Sequence, residues 1–407
     1  MPTRSYYFPK NFTHLEAILR AEPDGFPDEQ AIRFRDLGLP PIPTAGTLPI
    51  FLGISPKIIF SIRRRPRRHY RSFSLIKKDG TERTIDTPRT YLKVIQWWIL
   101  DNITSQVEIS RNAFGFVRGR SAVQNAGHHL GAQHILNVDI RQFFPSVKIA
   151  QVFEIFMSIG YNEEVAEMLS ELCCIDGHLP QGAPTSPSIA NLILRDLDEN
   201  LCNLADRSGC LYSRYADDLT FSSHSRINDN FLESVRKEVE NSGFKLKSEK
   251  TRFSGRGDRM EVTGVVINEK LQPPRDWRKL TRAKLHKLDS SNRLTRRQLS
   301  YLQGVMGMAP QFPDSPQIQQ LSEKARLIAE QKLHTIIGHG PRPILQNGLS
   351  LRESEALAAL VPSKTNLEVA IQIGINEVVL EKRLERAYKK IGAENRQQAI
   401  SWADQNL

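Results

Sequence analysis

The sequence predicts an α+β chain, an antiparallel sheet with helices on one side, followed by a small all-helical domain. Three observations predict it. From Ile135 onward short apolar strands alternate with segments of helical period. A strand, tight turn and second strand span Cys210 to Ser222. Gly338 to Gly348 (GHGPRPILQNG) holds three glycines and two prolines in eleven residues, a linker before the tail.

Taken in order, the first sixty residues are Pro-rich, with an apolar helix-like patch from Phe12 to Arg20. RRRPRRHYR follows, six arginines between Arg63 and Arg71, and its proline argues against one continuous basic helix. Phe73 to Asp86 (FSLIKKDGTERTID) reads as two strands around a Lys-Asp-Gly turn. Tyr91 to Ile103 has helical spacing. ILNVDI is a nearly continuous apolar strand carrying Asp139. Gln151 to Cys174 reads as one helix, and Ser186 to Leu204 as a second after a Pro-rich loop. Asn228 to Ser242 is helical, Val262 to Ile267 a strand, and Asp276 to Ala309 mostly helical and basic.

At 407 residues the chain has room for two or three domains with a core that needs no disulfide or metal staple. The formal charge of +11 favours a polyanionic partner such as nucleic acid. That excess is localised. Nine Lys or Arg face two Asp between Arg275 and Arg297, whereas Leu349 to Leu407 holds eight of each sign. Cys173, Cys174, Cys202 and Cys210 form no CxxC, which suits a reducing interior. No apolar run reaches the length of a membrane span, and MPTRSYYFPKN lacks the apolar core of a secretory signal. A cytoplasmic protein is expected.

The most informative segment is SRYADDLTFS, Ser213 to Ser222, where Asp217 and Asp218 interrupt an otherwise apolar hairpin. Adjacent strand residues point to opposite faces, so a tight turn is where both carboxylates can approach one site. Uncompensated buried carboxylates are costly, and a hard dication such as Mg²⁺ removes that cost. An ordinary Asp-Asp turn is the competing reading of this pair alone. Asp139, at the end of an apolar strand, adds a third carboxylate. The set suits two Mg²⁺ ions about 4 Å apart for in-line phosphoryl transfer.

These residues are similar to a known family. YADD resembles the YxDD turn of reverse transcriptases, and Asp139 with Phe143 and Phe144 resembles their first palm motif. LPQGAPTSPSIAN, Leu179 to Asn191, resembles the second. GFKLKSEKT, Gly243 to Thr251, resembles the fourth, with Lys250 in the lysine position, which the resemblance makes a candidate contact for the incoming nucleotide. The match runs co-linearly from about Phe51 to Ala309. It implies a right-hand polymerase fold: an N-terminal extension over 1–50, fingers over 51–134, palm over 135–272 and a helical basic thumb over 273–337. The linker and the tail, 349–407, follow. It also implies an RNA-directed DNA polymerase using two Mg²⁺ ions on Asp139, Asp217 and Asp218. Lys77 and Arg83 are the candidates for the incoming triphosphate, and Phe144 for the gate that excludes a ribose 2′-hydroxyl, with Phe143 as a core ring. Gln181 and Gly182 would let backbone approach template and nascent base pair.

Two segments narrow the branch. Asn125 to His129 (NAGHH) resembles the NAxxH signature of retron reverse transcriptases, and Val262-Thr263-Gly264 their VTG triplet. The resemblance implies a structured noncoding RNA as partner, priming from an internal guanosine 2′-hydroxyl, a branched RNA–DNA product, and anti-phage defence with an effector protein. Asn125, His129, Val262, Thr263 and Gly264 are then candidate RNA contacts, as are Arg275, Arg278, Lys279, Arg282 and Lys284 on the basic helix. The alternatives are a group II intron or abortive-infection type reverse transcriptase, or a catalytically idle nucleic-acid-binding scaffold.

In the tail, helices are expected over Ser350 to Leu360 and Asn366 to Ile373. A third, capped by Asn376, runs to Ile391, and a fourth spans Arg396 to Asp404. The pattern resembles a LuxR-type helix-turn-helix domain. Glu381 falls where such domains are usually basic, and the tail is net neutral. A docking or dimerisation module, homo-oligomeric or with another protein, is the alternative to DNA binding.

Overall fold

The computed structural model describes residues 34, 36–76, 80, 82–291, 293–332, 349, 351–373, 375 and 377–406. The Phe12–Arg20 patch, Lys77, the 338–348 linker and the Asn376 cap lie outside the described residues. Of the described residues, those up to Leu280 together with Pro310–Gln319 make one compact unit, and those over Thr281–Ala309 and from Gln320 onward make the second.

The first unit is built on a four-stranded antiparallel sheet. Its strands are β3 (His134–Asp139), β4 (Leu211–Tyr215), β5 (Asp218–Ser223) and β6 (Arg252–Gly255), in the order β4-β5-β3-β6. Leu136 and Val138 of the central strand enter the main core, while the alternate residues Asn137 and Asp139 line an open cleft. The period-2 geometry of a strand causes this split. Ahead of the sheet lies a hairpin of β1 (Tyr70–Ile76) and β2 (Glu82–Pro88), and behind VTG a short one of β7 (Glu261–Val262) and β8 (Val265–Val266).

Helix Thr90–Ile99 buries Leu92, Ile95, Trp98 and Ile99, spaced along one face. Each such burial contributes about 1.5–3 kcal/mol before entropy is counted. The arginine run divides at its proline: Arg63 and Arg64 close helix Pro56–Arg64, and Pro66–His69 forms a 3₁₀ turn.

Three elements differ from expectation. The helix expected over Gln151 to Cys174 is two, Ile149–Ile159 and Glu163–Cys173. Gly160, at φ +116°, ends the first, and the Asn162 side chain accepts from Val165 N at 3.0 Å to start the second. Ser186 to Leu204 likewise splits at Leu194 into Ser186–Ile193 and Arg195–Arg207. Strand β6 was not expected, since RFSG carries little apolar signal.

In the second unit, the tail forms helices Leu351–Ala358, Asn366–Gln372, Glu377–Ile391 and Arg396–Asn406. Leu357, Leu360, Val369, Leu380 and Leu384 make a core of their own. Lys390 donates to the buried Glu353 at 2.7 Å, so this carboxylate is paired. Among the described residues no helix is long and apolar enough to cross a membrane.

Candidate active site

Asp139 ends β3, Asp218 begins β5, and the two are directly opposite in the antiparallel register. Opposite residues share a face of the sheet, so their carboxylates converge. Asp217 lies in the two-residue turn that joins β4 to β5, and its carbonyl accepts from Ile140 N at 2.9 Å. Ala216, the other turn residue, sits at φ +59°. That is a left-handed conformation a non-glycine adopts at a cost. The tight turn that the sequence implies is therefore present, and it gathers all three aspartates at one end of the sheet.

Their charges interact. The Asp217 carboxyl is raised by burial and then by the Asp139 charge, with Lys250 and Arg83 pulling the other way. Asp218 keeps access to solvent, yet the protein packed around its carboxyl, followed by Asp217 and Asp139, raises it to about 7. The Lys250 ammonium is paired with Asp139. Burial acts to lower Lys250, but the hydrogen bond and charge of Asp139 outweigh it and leave the group raised. Lys250, a candidate contact for the incoming nucleotide, thus stands against the first aspartate.

Among the described residues no three His, Cys, Asp or Glu side chains stand together as a ready ligand cage. The donor chemistry fits a hard divalent ion all the same. Carboxylate oxygens are what Mg²⁺ takes, and a pair of raised carboxyls at one strand end is the mark of negative charge awaiting compensation.

The raised Asp218 carboxyl has a stability consequence. Its folded-state value near 7 exceeds the ordinary 3.8, so the fold retains a proton that the unfolded chain has released. Metal-free protein should therefore lose stability as pH rises from about 4 through about 7. Thermal unfolding in chelator at pH 5.5 and pH 8 checks this. Asp218→Asn should flatten the difference, and an unchanged slope would assign it to another group.

The remaining candidates surround this centre. Arg83, in β2, acts on the Asp217 carboxyl through its charge. Phe143 is buried, whereas Phe144 is half-buried with its ring 6.2 Å from that of the exposed Phe116. The Gln181 carbonyl accepts from Asp86 N at 3.0 Å, which ties the second motif to β2. Gly182 is at φ +132°, and a Cβ there would lie 3.0 Å from the Asp86 carbonyl oxygen. The β2 backbone packs against this glycine, so a side chain there would collide with the hairpin. Motif spacing does not single out Arg214, Asp198 or Gly115, which sit behind the turn. The available signal is an arginine inside an otherwise apolar strand.

A family profile described as "Reverse transcriptase (RNA-dependent DNA polymerase)" matches residues 75–267. The chain is 38% identical over 262 residues to the Retron Ec86 reverse transcriptase of Escherichia coli, covering 62% of this chain and 81% of that protein. The chain belongs to the retron reverse transcriptases. Two Myxococcus xanthus relatives agree. The Retron Mx65 reverse transcriptase is 38% identical over 291 residues, 65% of this chain and 66% of that protein. The Retron Mx162 reverse transcriptase is 35% identical over 293 residues, 62% of this chain and 60% of that protein. The retron reverse transcriptase is thus an RNA-directed DNA polymerase with the right-hand polymerase fold, in a family that works with divalent metal ions.

The two signature segments of this retron enzyme meet in space. VTG is the turn of the β7–β8 hairpin, with Thr263 at φ +48° and Gly264 at φ +79°. Positive φ at both central positions is the type I′ pattern, so a two-residue turn divides the strand expected over Val262 to Ile267. The Thr263 hydroxyl donates to the Ala122 carbonyl at 2.9 Å, at the start of the NAxxH helix Ala122–His128. Asn137 Nδ2 donates to the Glu261 carbonyl at 3.1 Å, fastening the hairpin to β3. Thr263 and Gly264 consequently line the same cleft, about 300 Å³, as Asp139, Asp218 and Lys250.

Direct RNA contact by Asn125, His129 and Val262 is corrected, because all three are fully buried. Both ring nitrogens of His129 lie 2.7 Å from serine hydroxyls, Nδ1 from Ser222 and Nε2 from Ser213. Burial, then the neighbouring His128, pushes its pKa down to about 3. A neutral ring donates through one nitrogen and accepts through the other, clamping β4 to β5. On helix Arg275–Asp289, Arg275, Lys279 and Arg282 are exposed, while Arg278 donates to Gln317. Lys284 lies over the Tyr301 ring, 5.1 Å from its centroid.

Proposed function

We propose that this reverse transcriptase copies a structured noncoding RNA encoded beside it into DNA, beginning from a 2′-hydroxyl of an internal guanosine. The product is a branched RNA–DNA hybrid that serves anti-phage defence in the cytoplasm with an effector protein. The observation that carries the reading is the shared cleft. The VTG turn, docked on the NAxxH helix, forms a wall beside Asp139 and Asp218. A primer hydroxyl presented by folded RNA would enter beside a surface specific to this branch of the family.

Asp139, Asp217 and Asp218 would hold two Mg²⁺ ions, whose bound chemistry is to acidify the attacking hydroxyl and neutralise the phosphate. The other residues position and select. Lys77 and Arg83 take the β- and γ-phosphates of the dNTP, Arg83 suited to paired contacts. Phe144 closes against the sugar and Gln181 orients the strand behind the nascent pair. Lys250 stays cationic beside Asp139 at neutral pH. Arg275, Lys279 and Arg282 offer phosphate contacts to an RNA stem. We assign 51–134 to fingers, 135–272 to palm and 273–337 to thumb. The 349–407 tail, LuxR-like in pattern and net neutral, is assigned to protein docking or self-association.

Expression with the native flanking noncoding region tests the reading. Cells should accumulate a short DNA whose mobility changes on treatment with a debranching enzyme. Primer extension without any branched DNA would overturn priming from an internal 2′-hydroxyl and leave a reverse transcriptase that starts from another primer. A chain ending at Thr335 should still make the DNA while losing defence; loss of synthesis at normal expression would make the tail a support for the polymerase instead.

A further inference from the structure

Behind the aspartate turn lies a charge that solvent cannot reach. Arg214 of β4 and Asp198 of helix Arg195–Arg207 are both fully buried. Arg214 Nε donates to Asp198 Oδ1 at 2.8 Å and Nη2 to Oδ2 at 2.7 Å. Nη1 donates to Asn191 Oδ1 at 2.8 Å and to the Ala216 carbonyl at 3.0 Å. The Tyr212 hydroxyl donates to Asp198 Oδ1 at 2.8 Å, and Asn191 Nδ2 to the Gly115 carbonyl at 2.9 Å.

Gly115 closes the arrangement from the other side. A Cβ there would lie 2.3 Å from Ala216 N and 3.0 Å from the Tyr215 carbonyl carbon. The segment before it runs along β4: Arg214 N donates to the Asn112 carbonyl at 2.8 Å, and Phe114 N to the Arg214 carbonyl at 2.7 Å. Ala216, the left-handed residue of the turn, is therefore gripped at its carbonyl and pressed at its nitrogen.

Buried ion pairs are poor devices for stability, since apolar residues of similar volume often do as well or better. This pair has a different use available to it. Its donation to Ala216 runs straight into the turn that carries Asp217 and Asp218. Strained backbone of this kind persists only where the surroundings over-determine it.

We propose that Arg214, held by Asp198 and Asn191 and backed by Gly115, is a positioning residue for nucleotide addition. It fixes the left-handed Ala216 turn and so the placement of Asp217 and Asp218 against Asp139. The proposal rests on the catalytic reading of those aspartates. A misplacement of about 1 Å at a reacting centre can cost about 100-fold in rate, so a small relaxation of the turn is enough.

The test uses the full chain with primer–template and dNTP in single-turnover addition, beside thermal unfolding. Arg214→Met alone leaves Asp198 charged and unpaired and should unfold early. Arg214→Met paired with Asp198→Asn leaves no buried charge and keeps an acceptor for Tyr212. It should recover the unfolding temperature yet add nucleotide about 100-fold more slowly, with dNTP and template affinity within about twofold of the parent. Asn191→Ala, which keeps the ion pair but strips the buried Gly115 carbonyl of its donor, should still fold, at a lower unfolding temperature than the parent, and lose about tenfold in rate. Should the paired variant not fold, Asn191→Ala decides. A folded paired variant or Asn191→Ala at parental rate would overturn the proposal, as would a loss confined to substrate affinity. Activity surviving in Asp217→Asn would instead remove the catalytic reading beneath it.

Discussion

Asp217→Asn is expected to reduce primer extension by about 1,000-fold or more, the several kcal/mol that a lost ligand to the reacting phosphate represents. RNA binding should be nearly unchanged, because the change removes one carboxylate and leaves every basic residue in place. Thermal stability should hold or rise. The Asp217 carboxyl is raised by burial and by Asp139, so neutralising it relieves repulsion that the metal-free fold carries. Loss of synthesis with intact binding and folding separates a polymerase from an idle nucleic-acid scaffold. Undiminished extension would remove Asp217 from the metal site and return YADD to an ordinary hairpin turn.

Phe144→Ala is expected to raise ribonucleotide incorporation relative to deoxynucleotide by roughly 10- to 100-fold, the range that steric discrimination in a pocket supplies. The ring is half-buried, faces Phe116 and stands five residues beyond Asp139, so its truncation opens space without hollowing the core. Phe143→Ala is the control. Phe143 is 4% exposed within the main core, so its loss should cost about 3–5 kcal/mol in stability. It should leave sugar selection alone. Gel analysis of single additions with matched ribo- and deoxynucleotides reads both variants. Parental discrimination in Phe144→Ala would move the gate elsewhere, with Phe116 the neighbouring ring to examine.

Much of this molecule is legible in its sequence because the signals are local. A strand-end Asp139, a hairpin Asp217-Asp218 pair and the linker-separated helices of the tail are each written in residues close along the chain. The breaks at Gly160 and Leu194 are hidden in the sequence, because apolar residues continue on both sides of each. The role of His129 is not legible locally. Its placement next to His128 suggests a polar pair, yet Ser213 and Ser222, more than eighty residues away, make it a buried clamp.

The sequence by itself determined the fold class, the three carboxylates, the family and the neutral helical tail, since period, turn chemistry and charge act over short spans of chain. Only the tertiary structure decided which groups compensate one another. It brought Lys250 to Asp139, Thr263 to Ala122, the β2 backbone to Gly182, and Arg214 to Ala216 in a network with Asp198 and Asn191. The physical reason is that burial makes a polar group's partner obligatory, but the partner is set by the crossing of distant elements. A motif names the residues that react. The packing behind it chooses those that hold them still.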